Sequence, residues 1–174
     1  MTTTRIASLA ATAALLLTGA TGARAQSALI FAAEGAAPGD GFGGAISGAG
    51  DVDRDGTPDV IIGARLFDGP AGADSGQAVV RSGRTGAVLR TLNGENAGDR
   101  FGAAVSGAGD VNGDGTPDLL VGAVGWDSPS ATDVGKVYVY SGATGALIRS
   151  IEGEAAFDVL GRGLDTLGDV NGDG

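Results

Sequence analysis

Three stretches of the chain are copies of one another at a spacing of 59 residues. Asp51, Asp110 and Asp169 mark one repeated position, Gly43, Gly102 and Gly161 a second, and Gly35, Gly94 and Gly153 a third. A repeated unit of this kind stacks against its own copies, because one unit alone has nothing to cover its apolar face. The fold is therefore to be read from one period.

One period contains four short apolar segments separated by turn residues. In the second copy these are Phe101 to Gly109, Leu119 to Ala123, Lys136 to Tyr140 and Ala146 to Ile151. Each is too short for a helix, and the glycines fall between them in register, so the 34 glycines of the 174 residues read as turn and bulge positions. In Lys136 to Tyr140 the valines share one face and the tyrosines the other. Both faces are apolar, so the strand is expected to be covered on both sides, with Tyr138 and Tyr140 in packing roles. Four such strands in sequence make one antiparallel sheet per repeat, the blade of a β-propeller. The predicted fold is all-β: a partial β-propeller with four-stranded antiparallel blades at residues 36–94 and 95–153, a third begun at 154–174, and an orphan outer strand at 26–35. That is about two and a half blades, and since propellers carry roughly four to eight, the remaining blades are expected to be missing from this chain.

Between the first and second strand of each period lies an acidic loop. Residues 51–59 read DVDRDGTPD and residues 110–118 read DVNGDGTPD, and residues 169–174 begin a third copy. Oxygen-bearing side chains stand at loop positions 1, 3, 5 and 9, with Gly at 6: Asp51, Asp53, Asp55 and Asp59, then Asp110, Asn112, Asp114 and Asp118, then Asp169, Asn171 and Asp173. Asp-Gly pairs are common turn formers in their own right. Here the acids recur at fixed loop positions, and alternate residues of a tight turn converge on one centre. Calcium takes six to eight oxygens at roughly 2.3–2.6 Å, and Gly at position 6 permits the sharp bend. An EF-hand would place a glutamate at position 12, where Ile62 and Val121 stand instead, and the loops run into strands rather than helices. Ca2+ is the expected cofactor.

The first 25 residues read as an export signal. Arg5 precedes an apolar stretch from Ile6 to Leu17, and Ala23-Arg24-Ala25 fits a small-x-small cleavage pattern, with Gln26 as the new N-terminus. The apolar stretch is shorter than the roughly 20 residues of a membrane span. The chain is thus expected to be secreted, periplasmic or at the cell surface, with no membrane span after cleavage. A net charge of -10 argues against nucleic acid as a partner. The chain has no histidine and no cysteine, which removes the commonest general base and the thiol nucleophile.

These features together resemble the FG-GAP repeats of integrin alpha subunits and of many secreted bacterial proteins. The motif stands here as Phe42-Gly43 and Phe101-Gly102, the D-x-[DN]-x-D-G-x-x-D loop, and Gly63-Ala64 and Gly122-Ala123. Leu160 replaces the phenylalanine in the third copy, and Arg65 and Val124 replace the proline that follows Gly-Ala. The resemblance implies a seven-bladed ring, calcium in the acidic loops, and backbone carbonyls of Thr57 and Thr116 completing the two full ligand sets.

The function expected is a non-enzymatic module for adhesion or for binding a protein or glycan ligand, presented by the variable residues 66–75 and 125–134. The alternative is an accessory or catalytic propeller domain of a secreted hydrolase. For that reading every dense Asp cluster is already assigned to calcium, which leaves Glu34, Glu95, Glu152 and Glu154 at repeat-equivalent or nearby turns.

Overall fold

The computed structural model describes residues 12–16 and 29–166. All regular structure among them is β. Strands β3 (Phe42–Gly50), β4 (Asp59–Ala64), β5 (Gln77–Arg81) and β6 (Val88–Asn93) form one four-stranded sheet in the order β3-β4-β5-β6. Strands β7 (Phe101–Gly109), β8 (Asp118–Ala123), β9 (Lys136–Tyr140) and β10 (Leu147–Glu152) form a second with the same meander. Every pairing in both is antiparallel. These are two blades of a β-propeller.

The copies agree down to their irregularities. Register shifts fall between Phe42 and Ala45 and between Gly48 and Gly50 in the first blade, and between Phe101 and Ala104 and between Gly107 and Gly109 in the second. Such bulges twist the innermost strand. They place the acidic loop at one end of the β3-β4 and β7-β8 pairs and the Phe-Gly pair at the other.

The blades stack through β7, which packs on β3 and β4. Ile61, Val80, Phe101, Val105, Leu119, Val121 and Tyr138 form one buried cluster across the boundary. Phe101 meets Tyr138 edge-on at 5.4 Å and Tyr140 at 6.1 Å, so the tyrosines pack as the alternation in the sequence predicts. The glycines of the motif explain how close the blades come. A Cβ on Gly63 would collide with the backbone of Gly102, and one on Gly122 with the backbone of Gly161. The Gly-Ala pair of one blade is thus the seat for the Phe-Gly pair of the next.

The chain start departs from the sequence reading. Thr12–Leu16, inside the segment expected to be an export signal, forms strand β1 and pairs antiparallel with β2 (Leu29–Glu34), from Thr12 opposite Glu34 to Leu16 opposite Leu29. The strand expected to be an orphan is therefore half of a two-stranded ribbon, a sheet of its own whose Ala33 and Phe31 pack against Phe42, Val60 and Ile62 of the first blade. A lone strand exposes unpaired N–H and C=O groups, and an apolar segment of the same chain satisfies one edge. Ala23, Arg24, Ala25 and Gln26 lie outside the described residues, as do Asp169, Asn171 and Asp173 of the third loop. Among the described residues no helix is long and apolar enough to cross a membrane.

Candidate metal centre

The nine-residue loop is held by its own acids. In the first copy both oxygens of Asp51 accept backbone hydrogen bonds, from Asp55 at 3.0 Å and Gly56 at 2.9 Å. Asp53 accepts from the amide of Asp55 at 3.1 Å, and Asp55 from that of Thr57 at 2.8 Å. In the second copy Asp110 accepts from Asp114 at 3.0 Å and Gly115 at 2.7 Å, Asn112 from Asp114 at 2.9 Å, and Asp114 from Thr116 at 2.8 Å. Alternate side chains point inward because each accepts from amides two to five residues on.

Position 9 does something different. Asp59 is buried at the start of β4, where one oxygen accepts from Val52 at 2.8 Å and the other from Gly83 at 2.9 Å. Asp118 repeats this with Val111 at 2.8 Å and Gly142 at 3.1 Å. The carboxylate therefore joins the loop to the Ser-Gly-x-Thr-Gly turn between the third and fourth strands. Burial pushes the Asp59 carboxyl above its ordinary range, and the Gly83 and Val52 amides pull it partly back. Asp114 moves the other way: hydrogen bonding with Asn112, then with Thr116, and the charge of Arg54 hold it below the usual carboxylate range.

One oxygen each from Asp51, Asp53 and Asp59 lies within 4.8 Å of the others. Oxygens bound to one calcium ion at roughly 2.3–2.6 Å stand at most about 5 Å apart, so these three fit a single coordination sphere. Each carboxylate oxygen that accepts an amide keeps lone pairs for a cation. The donor set is all oxygen, as a hard divalent ion requires. Asp55 stands apart from this trio, with its carboxylate 3.2 Å from Arg84 Nε. The second loop has an amide, Asn112, at the position of Asp53, so it brings fewer charges to its centre.

Two arginines absent from the sequence reading complete the loops. Arg84, in the turn of the first blade, donates to the position-5 carbonyl of Asp55 and, at 3.3 Å, to the hydroxyl of Thr57. The repeat-equivalent residue in the second blade is Ala143. There Arg54, from position 4 of the first loop, supplies the guanidinium: it donates to the Asp114 carbonyl at 2.8 Å and to Thr116 Oγ1 at 3.0 Å. Thr116 is buried, its hydroxyl held by the neighbouring repeat.

At the opposite end, the variable segments are clamped to the next blade. Ala73, Asp74 and Ser75 accept from the amides of Gly98, Arg100 and Phe101, and Thr132, Asp133 and Val134 accept from Phe157, Val159 and Leu160. Residues 73–75 and 132–134, the ends of the variable segments 66–75 and 125–134, are thus joints between blades. Leu160 makes the same 3.1 Å amide bond as Phe101, so its substitution leaves the joint intact. Asp40, Asp99 and Asp158 accept from the amides of Ala37, Asn96 and Ala155. These capping acids were missed in the sequence, although their recurrence at the same period was the available signal.

Stacked four-stranded blades, each with an acidic loop between its first two strands, define a propeller repeat protein. The FG-GAP repeat family matches residues 101–140. Integrin alpha-6 of Homo sapiens is 35% identical over 122 residues, covering 68% of this chain and 10% of the relative. Integrin alpha-E of Mus musculus is 30% identical over 165 residues, covering 87% of this chain and 14% of the relative. Integrin alpha-IIb of Homo sapiens is 39% identical over 90 residues, 48% of this chain and 8% of the relative. The chain belongs to the FG-GAP repeat proteins of the integrin-alpha-like type, and it spans about a tenth of the length of the curated relatives it matches.

Proposed function

We propose that the chain is an exported, calcium-braced propeller module that binds a protein or glycan ligand and does not itself catalyse a reaction. The observation that carries the metal half is the meeting of Asp51, Asp53 and Asp59 oxygens within one coordination sphere. The proposed ligand sets are Asp51, Asp53 and Asp59 with the Thr57 carbonyl, joined by Asp55 when its carboxylate turns from Arg84 to the ion, and Asp110, Asn112, Asp114 and Asp118 with the Thr116 carbonyl. A bound ion offsets the repulsion among these carboxylates and locks each loop between two strands. The binding role is supported by similarity to integrin alpha subunits and by the lack of histidine and cysteine in the sequence. Export is supported by Arg5, the apolar stretch and the Ala23-Arg24-Ala25 pattern.

The test is a calcium titration of the full chain, following metal uptake and thermal melting against a chelator control. At a hundredfold excess over its dissociation constant, each filled site adds about 2.7 kcal/mol of stability. An unchanged melt with no uptake at millimolar calcium sinks the metal reading. N-terminal sequencing of exported product checks the cleavage before Gln26.

A further inference from the structure

The chain is acidic, yet three arginines gather in one place. Arg65, Arg100 and Arg162, from three successive repeats, line a cleft of about 460 Å3 together with Ala103, Val124 and Val159. All three arginines are exposed. Among the described residues none of their guanidiniums donates a hydrogen bond and none is paired with a carboxylate. The arginines at the acidic-loop end behave otherwise: Arg54, Arg84 and Arg90 all bond to backbone carbonyls. The cleft arginines have no such structural task.

Their placement adds two points. Arg65 follows β4 and Arg100 precedes β7, so the cleft sits at the end of the blades opposite the acidic loops. The six residues of β4 separate the two ends by roughly 20 Å, more than twice the roughly 8 Å over which charge is screened at physiological salt, and the nearer carboxylates Asp99 and Asp158 are turned onto the backbone amides of Asn96 and Ala155 rather than onto the cleft arginines. Arg100 also holds a left-handed backbone, φ 54°, at the position taken by Gly41, φ 71°, in the first repeat and by Val159, φ 53°, in the third. The left-handed turn is thus a feature of every repeat, and glycine fills it with the least strain.

We propose that this cleft is a binding site for an acidic peptide segment, whose carboxylates pair with the guanidiniums of Arg65, Arg100 and Arg162. The inference deepens the binding-module reading and rests on it for the existence of an external ligand. Guanidinium forks match carboxylates two bonds at a time. The volume lies in the range of ordinary ligand pockets, and its remaining walls are the methyl groups of alanine and valine. No aromatic ring lines it for a sugar face to stack on, which favours peptide over glycan.

The probe is fluorescein-labelled hexaglutamate, titrated with the full chain at fixed calcium and followed by anisotropy, with hexalysine as control. Hexaglutamate is expected to bind, more weakly as salt rises, and hexalysine not to bind. Arg65→Gln, Arg162→Gln and Arg100→Gly are each expected to weaken binding roughly tenfold. Arg100→Gly keeps folding separate from binding, because glycine relieves the left-handed backbone and the melt should hold or rise. No binding, or unchanged affinity in all three variants, overturns the cleft. Displacement by a sulfated oligosaccharide at far lower concentration than by unlabelled hexaglutamate overturns the peptide assignment. Calcium-dependent melting read in the same samples separates the two ideas. A calcium-stabilised chain that ignores hexaglutamate loses only the cleft. A chain blind to calcium that binds through the arginines loses only the metal.

Discussion

Arg54, a residue of the first acidic loop, donates to the Thr116 hydroxyl of the second loop at 3.0 Å, across the boundary between blades. The same guanidinium reaches the Asp114 carbonyl, so one loop braces the next. Arg54→Ala is expected to loosen the second loop and to cost about 1 kcal/mol, the usual worth of a partly exposed bond from a charged donor. Hydrogen exchange at residues 113–116 and thermal melting measure it. Adding Ala143→Arg places a guanidinium where Arg84 stands in the first blade and should restore protection. Rescue failure together with unaltered exchange in Arg54→Ala would show that the contact does not order the loop.

Asp53 and Asp59 separate the two tasks of the acids. Asp59 is buried and ties Val52 to Gly83, so Asp59→Ala should cost about 3 kcal/mol even in chelator, from two charge-assisted bonds lost and two buried amides orphaned. Asp53 is exposed and accepts a single amide within the loop. Its alanine variant should melt within about 1 kcal/mol of the parent in chelator and lose much of the gain on adding calcium. Denaturant titrations with and without calcium distinguish them.

Gly63→Ala drives a methyl group into the backbone of Gly102, where no rotamer change gives relief. The expected loss is about 3 kcal/mol, at the upper end for overpacking. Gly48→Ala, on the same blade with open space around it, should cost far less. Paired chemical denaturation curves give the comparison.

Asp99 carries the pH prediction. Burial pushes its carboxyl above the ordinary value of 3.8, against the pull of Asn96 hydrogen bonds. An acid with a raised folded value favours its protonated form in the native state. Its contribution to stability is therefore fully present below the unfolded value and lost as pH rises through the folded one. Melting of the parent relative to Asp99→Asn should fall as pH is raised from below the ordinary carboxylate range to neutrality. A flat difference across that window contradicts the assignment.

The blade was legible because each of its signals is local. The 59-residue recurrence, the valine and tyrosine alternation of β9 and the Gly-bounded apolar runs each set strand identity within a few residues. The candidate site was legible in its donor types, since alternate acids in a Gly-containing turn converge through bonds to amides two to five positions on. Arg84 and Arg54 were not, because each acts across 27 to 62 residues of sequence and the two copies fill one role from different places.

By itself the sequence determined the repeat, the four-stranded blade and the acids at loop positions 1, 3, 5 and 9, all consequences of short-range periodicity. Only the tertiary structure decided which acid is buried as a joint, that the variable segments clamp neighbouring blades, that a strand before the repeats pairs with β2, and that three arginines from separate repeats share one cleft. Those outcomes depend on which residues the stacking of blades brings together, and stacking is set by glycines that let two backbones touch, a condition no single repeat contains.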